Sequence, residues 1–499
     1  MLENIVEKVV ITLPASINKV LKTINENKLG IVFVVDDKDC LIGSITDGDI
    51  RRAMLQGSKL EKEDITIESA ALNRKPFSLP FESDIQEILN YLDQDFQNRT
   101  IKCIPLLDTQ GRIIDISIRS RIKRFPIYQP EIGIKELSNV VDCIRSGWIS
   151  SQGSYITRFE KLFSNYLRGG HAVAVSSGTT ALQLGMTALG IGPGDEVIVP
   201  NFTFAASVNS IIHCGAKPIL VDVDKETWTL DLNKIKKSIT SSTKAIMPVH
   251  IYGKPCRMDE LVDIAKKNDL LIVEDCAEAI GAEYKNRLVG LDGNCSCFSF
   301  FANKIITTGE GGMVVFKSSE AAKKARILRD HGMSKSKSYW HEYVGFNFRM
   351  TNIQAAIGVA QIERIQELLK RRQEIFENYN RKFKKIENIS LIPNDNWSKN
   401  SFWFYTIVVN NIGEKKRDKL LSLLKNSGVE CRPAFYPLNR MKPYKKFGKG
   451  NYEVSEYLGT NSISLPSSSA LTKNEQDYIA DAFYKELNNL GLNLNKTIK

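Results

Sequence analysis

No uninterrupted apolar run in the 499 residues reaches the ~18 that a spanning helix needs, so membrane insertion is not expected. The opening "MLENIVEKVVITLPAS" has acids early and no apolar stretch before a small-residue cleavage site, so a signal peptide is not expected there. Histidine is scarce, five in all, and the close pair Cys295 and Cys297 has no second cysteine cluster to join it. No metal site is expected. Nine scattered cysteines, an odd number, do not make a disulfide framework and point to a reducing, cytoplasmic setting. Walker phosphate-loop order is absent, and so are the aromatic strand pairs or zinc-ligand pairs of nucleic-acid readers. What remains is ordinary for a soluble globular protein, with 42% hydrophobic and 25% charged residues. The formal net charge of +11 suits nucleic acid, an anionic surface or a phosphorylated substrate, but a solvated lysine-rich surface is the first explanation for it.

Residues 1–124 contain a degenerate repeat. "IVFVVDDKDCLIGSITDGDIRRAM" reads strand, Asp-rich turn, strand, helix, and "KCIPLLDTQGRIIDISIRSRI" repeats the order. Each follows an amphipathic segment, "ASINKVLKTINENK" or "SDIQEILNYLDQDF", and two such units bury their apolar faces only against each other. This half resembles a tandem CBS pair, a module that commonly binds adenine nucleotides. The first copy carries the ribose-phosphate pattern from Gly43 to Asp49, which makes Asp49 the candidate for the ribose hydroxyls and Thr46 for a phosphate. The second copy lacks the matching Thr and Asp, so a docking or dimerising module without ligand stays open.

"IKRFPIYQPEIG" reads as a linker. Beyond it helical patterns alternate with "HAVAVSS", "DEVIVP", "KPILVDV", "KAIMPVH", "LLIVED" and "CFSFF", predicting an α/β region with a mainly parallel sheet between helices over 125–390. A long amphipathic stretch begins at "TNIQAAIG". A smaller α+β region over 391–499 holds a strand "FWFYTIVV" and helices "KRDKLLSLLKNSG" and "KNEQDYIADAFYKEL".

In such sheets ligands bind at the carboxyl ends of the strands. After "HAVAV", Ser177, Gly178 and Thr179 open a helix whose N–H groups suit a phosphate; a plain helix cap explains them too. After "DEVIVP", Phe204 is placed to cover a flat ring. After "LLIVE" comes Asp275, a buried acid that needs donors or a cation unless it caps a helix over "CAEAIGAEY". After "CFSFF" comes Lys304, with Ser299 upstream, and the glycines of "TTGEGG" read as a tight turn to "MVVF". A phosphate cup, a stacking aromatic, an acid for a ring nitrogen and an amine together match pyridoxal 5′-phosphate. Lys304 would hold the aldehyde as an imine, and Asp275 would keep the pyridine nitrogen protonated.

"SSGTTAL", "PNFTFAAS", "EDCAEAIGA", "FSFFANKIITTGEGGMV" and "GFNFRMTNIQAAIGVAQIE" resemble the DegT/StrS sugar-nucleotide aminotransferases, PLP enzymes of fold type I, from about Phe125 to the end of the chain. The resemblance implies that Lys304 anchors the cofactor and shuttles the proton, while Thr179, Gly178 and Ser299 hold the phosphate. It implies that Asn347 reaches the cofactor of a neighbouring subunit, making the active unit a homodimer, and that Glu278 contacts the ring hydroxyl or the sugar. His331 and Arg349 fall in matching motifs without a role. The implied reaction moves the amine of glutamate to a nucleotide-linked 4-keto-6-deoxy sugar, GDP-linked in first place, with UDP- or dTDP-linked sugars as alternatives. Related sugar dehydratases carry histidine in place of the lysine, and this chain keeps Lys304. A reading of another class is a nucleotide-sensing regulator with an idle PLP domain.

Overall fold

The structure, a computed structural model, describes residues 5–57, 72–83, 103–118 and 124–492, with short pieces at 87–88, 91–92, 95–96 and 99–100. The chain divides into two compact units, one built on residues up to Arg124 and the other on residues from Phe125 onward.

The first unit is the sequence repeat made visible. Strand Val10–Thr12 runs parallel to Ile31–Val35, which pairs antiparallel with Leu41–Thr46. Leu79–Pro80, Cys103–Leu107 and Ile113–Ile118 repeat that arrangement. Both hairpins turn on an aspartate: Asp36 accepts from the N–H groups of Lys38 and Cys40, and Asp108 from those of Gln110 and Arg112. Val9, Phe33 and Val35 share one core with Cys103, Ile113 and Ile116, so the two copies bury their apolar faces on each other. Of the predicted second helix only 87–88 and 91–92 are described as helical, and Asp95–Phe96 is instead a strand paired with Arg99–Thr100. "RSRI", at the end of the second copy, lies outside the described residues.

The second unit is built on a seven-stranded sheet in the order Lys217–Val221, Glu196–Pro200, Thr243–Ile246, Leu271–Asp275, Cys295–Ser299, Gly312–Phe316, His171–Val175. Its pairings are parallel except the two made by Gly312–Phe316, which alone runs against the rest. Successive residues of one strand feed different cores: Ala172 and Ala174 one, Val173 and Val175 the other. That alternation shows both faces covered by helices, which is why the strands read as continuous apolar runs. Cys295 and Cys297 share a face, close under the helix Gly178–Ala188, and all nine cysteines are free thiols.

A third core belongs to an antiparallel sheet of Ile389–Leu391, Tyr405–Val409, Ser462–Leu465 and Arg432–Pro433, covered by the helices Ile365–Phe383, Gly413–Asn426 and Lys473–Asn489. Among the described residues no helix is long and apolar enough to cross a membrane.

The long amphipathic stretch folds as two helices, Asn352–Glu363 and Ile365–Phe383, broken at Arg364. Two expectations need correction. The strand read from Phe402 starts only at Tyr405, because Phe402 takes φ 61° and turns the chain before pairing begins. The strands Cys295–Ser299 and Gly312–Phe316 are neighbours, but a loop over 300–311 joins them rather than a tight turn, and Lys304 sits within it.

Candidate active site

The carboxyl ends of the sheet strands surround a cavity of ≈ 390 Å³. Ser177, Gly178, Thr179, Phe204, Asp275, Glu278, Ser299 and Lys304 all line it.

Gly178 and Thr179 form the first turn of the helix Gly178–Ala188, where backbone N–H groups lack intrahelical partners and favour an anion. Ser177 is that helix's cap: its hydroxyl accepts from Thr180 N at 3.1 Å. Two glycines let this turn approach the neighbouring strands. A Cβ on Gly178 would lie 2.8 Å from Ser299 Cβ, and one on Gly312 would lie 2.3 Å from the Ser177 carbonyl oxygen.

Asp275 ends the strand Leu271–Asp275. It accepts from Ser207 Oγ at 2.8 Å and from Ala277 N at 3.1 Å. The second bond is an Asx turn; turns, not a helix, follow Asp275, so the helix-cap reading falls. Burial raises its carboxyl above the usual range, while the Ser207 hydroxyl, the Ala277 N–H and the Lys304 charge pull it back down. Glu278 accepts from Tyr252 N at 2.6 Å, and burial pushes it up to about 7 against the pull of Lys304. For Lys304 burial lowers the ammonium pKa, and the charges of Glu278 and Asp275 oppose that. An amine, two acids and an anion-binding turn thus share one small, largely apolar space.

Phe204 is exposed and lines the cavity, its ring centroid 5.7 Å from that of Phe435. Asn347 does not line the cavity. It is exposed and accepts from Arg349 Nε at 3.0 Å, while Arg349 also bonds Asp330 at 2.8 Å and His331 Nε2 at 3.2 Å. His331, Asn347 and Arg349 therefore form one surface cluster outside the cavity.

Sequence reasoning missed several lining residues. Tyr252 and Trp403 come from distant segments, and nothing in their local pattern marks them, whereas Arg432 and Phe435 belong to "CRPAFYPLNRMKPY", a loop the sequence offers for sugar and nucleotide contacts. Ser207 had a faint signal: it lies four residues after Thr203, whose hydroxyl is 3.0 Å away. The trio His250, Glu274 and Cys276 lies within 4.8 Å behind Asp275. Its donors and acceptors are engaged, since Glu274 takes the N–H groups of Gly290 and Gly293 as well as His250, and His250 Nδ1 accepts from Cys256 N.

In the first unit a second cavity is lined by Lys28, Phe33, Ser44, Thr46, Asn73 and Phe77. Asp49 is not in its lining. It closes a capping box with Thr46 and pairs with Arg52.

A lysine-bearing loop, a buried acid at the next strand end and a phosphate-sized helix turn define a PLP-dependent transaminase, and the residues present fit that cofactor. The chain belongs to the DegT/DnrJ/EryC1/StrS aminotransferase family, whose profile matches residues 130–484, with a CBS domain match over residues 2–56. It is 43% identical over 364 residues to the GDP-perosamine synthase of Caulobacter vibrioides, covering 73% of this chain and 98% of that protein. It is 42% identical to that of Escherichia coli O157:H7, over 73% and 100% of the two chains. Among solved structures, a putative sugar aminotransferase of Streptococcus pneumoniae in its PLP form superposes with a TM-score of 0.70 at 31% identity, over 74% of this chain and 99% of that one. The Helicobacter pylori aminotransferase PseC, involved in biosynthesis of pseudoaminic acid, gives 0.70 at 28% identity over 74% and 100%. The chain is a sugar aminotransferase.

Gly312 provides a direct check on the phosphate turn. Gly312→Ala pushes a methyl into backbone that cannot swing away, a clash worth about 1–3 kcal/mol. The expected outcome is weakened cofactor retention, read as the ratio of cofactor to protein absorbance after gel filtration, with a lowered melting temperature.

Proposed function

We propose that the protein transfers the amino group of glutamate to C4 of a nucleotide-linked 4-keto-6-deoxy sugar, with GDP-4-keto-6-deoxymannose as substrate and GDP-perosamine as product for surface polysaccharide such as O-antigen. The observation that carries this is the gathering of Lys304, Asp275 and the Ser177–Thr179 turn in one cavity of a chain that matches perosamine synthases over nearly their whole length.

When bound, PLP supplies an electron sink for the carbanion left as a proton departs from a substrate carbon. The chain's residues do the rest. Gly178, Thr179 and Ser299 bind the phosphate. Asp275, held by Ser207 and Ala277, presents a fixed carboxylate to the ring nitrogen. Phe204 covers a ring face, a contact worth about 1 kcal/mol. Lys304 is the covalent anchor, and its amine, lowered by burial, carries the proton to and from the reacting carbon. Glu278, titrating near neutrality, faces the ring hydroxyl or the sugar.

Asn347 is outside the cavity of its own chain, which accords with its serving a neighbouring subunit in a homodimer. Thr46 lines a cavity large enough for an adenine nucleotide in the first unit, with Asp49 leaving its capping box to meet the ribose. Turnover of GDP-, UDP- and dTDP-linked 4-keto sugars, followed by product mass, tests the reading. The expected result is amination of the GDP sugar in preference to the others; a preference for UDP or dTDP would overturn that assignment. The same assay with AMP, ADP or ATP reads the first unit: no binding and no rate change would leave it a purely structural module.

A further inference from the structure

Trp403 stands against Lys304, and the reaction as described gives it no task. Lys304 Nζ lies 3.9 Å from the centroid of its ring. The indole N–H donates to the Asn303 carbonyl at 2.7 Å, and the Trp403 carbonyl accepts from Arg372 at 2.7 Å. The ring stacks on Phe404 at 4.1 Å and lies nearly parallel to Tyr252 at 6.0 Å. Arg372, fully buried, also packs its guanidinium over Tyr128, whose hydroxyl donates to the Lys304 carbonyl at 2.7 Å. One buried cation thus locates both the indole and the backbone of the lysine.

We propose that Trp403 is a positioning residue for Lys304, its indole face being the berth of the amine whenever the amine is not joined to the cofactor. The proposal rests on the transaminase reading. A transaminase frees its lysine in each half-cycle, and the freed amine must stay beside the reacting carbon. Two carboxylates in the same cavity, Asp275 and Glu278, compete for it. An ion pair with either would draw the amine away from the carbon it serves. An aromatic face attracts an ammonium without offering an acceptor for its proton. Trp403 therefore holds the amine without consuming it.

The test uses the full chain loaded with pyridoxamine 5′-phosphate, in which Lys304 is free. Lys304 is labelled with an amine-selective acylating reagent across a pH series and quantified by peptide mass spectrometry. The midpoint of labelling reports how firmly the ammonium is held, and the plateau reports access. Trp403→Leu is expected to move the midpoint about one pH unit lower, making Lys304 about tenfold more reactive at neutral pH. Trp403→Phe is expected to restore most of the shift. In turnover kcat should fall in the Leu variant with KM little changed, and Phe should recover it in part. An unchanged midpoint in a folded Leu variant, or a Phe variant no better than Leu, overturns the proposal. Should the Leu variant not fold, Trp403→Met takes its place with the same readings: a midpoint about one pH unit lower is expected, and one equal to the parent's overturns the proposal. A separate control keeps the two readings apart. If borohydride fails to modify Lys304 in the PLP-loaded parent, the transaminase reading falls first.

Discussion

Lys304→Ala is expected to lower amination of a keto sugar nucleotide by about 10⁴-fold, the upper end for a positioned acid–base group, because one side chain both anchors the cofactor and moves the proton. The protein should still fold. Lys304 is a buried cation whose desolvation is unfavourable, and its carbonyl, which Tyr128 holds, survives the substitution. Borohydride treatment of the PLP-loaded parent should modify the peptide containing Lys304 irreversibly and leave the variant untouched. A variant that aminated sugar at the parent's rate would sink the assignment. Added small amines supply a second check: partial rescue of the rate points to lost proton transfer, since a free base replaces that task but not the tether.

Asp275→Asn should cost about 10²–10³ in rate, the range found when one preorganised electrostatic partner is removed. Asparagine is nearly isosteric: its amide oxygen can still accept from Ala277 N, and its NH2 can donate to the Ser207 hydroxyl in place of the second carboxylate oxygen, so the fold is preserved while the charge is lost. Without that charge a ring nitrogen has no reason to stay protonated, and the electron sink weakens. Each half-reaction is followed separately by the absorbance change on adding glutamate or 2-oxoglutarate, and both should slow together. An effect on one half only would mean that Asp275 serves a substrate instead. Asp275→Glu should also lose rate, because the longer arm misplaces the same charge among partners set 2.8 and 3.1 Å from the native one.

Much of this site was readable because its parts follow strand ends in one sheet. Ser177, Phe204, Asp275 and Lys304 each come just after an apolar run, and a parallel sheet brings such points to one edge. Trp403 was unreadable for the complementary reason. It reaches the cavity from the segment before Tyr405, whose placement depends on packing between sheets. The Lys304 loop was misjudged because glycines that look like a turn are there for close approach: Gly311 crowds Thr308, and Gly312 crowds Ser177. In the first unit the hairpins were readable from their Asp turns, whereas the partner of Asp49 was not. A capping box and a ribose contact ask for the same residue at the same place.

The reversed strand Gly312–Phe316 has one more consequence. Because it pairs with the strand leading into the lysine loop, that loop is pinned at both ends, with Phe300 N on the Gly311 carbonyl and Thr308 N on the Phe300 carbonyl. The backbone beneath Lys304 has little room to wander, so the amine explores only what its own four torsions allow. One amine confined to ≈ 390 Å³ amounts to a local concentration of about 4 M, far above that of any free amine in solution. The fold thus treats the lysine less as a reagent awaiting encounter than as a solvent component that is always present.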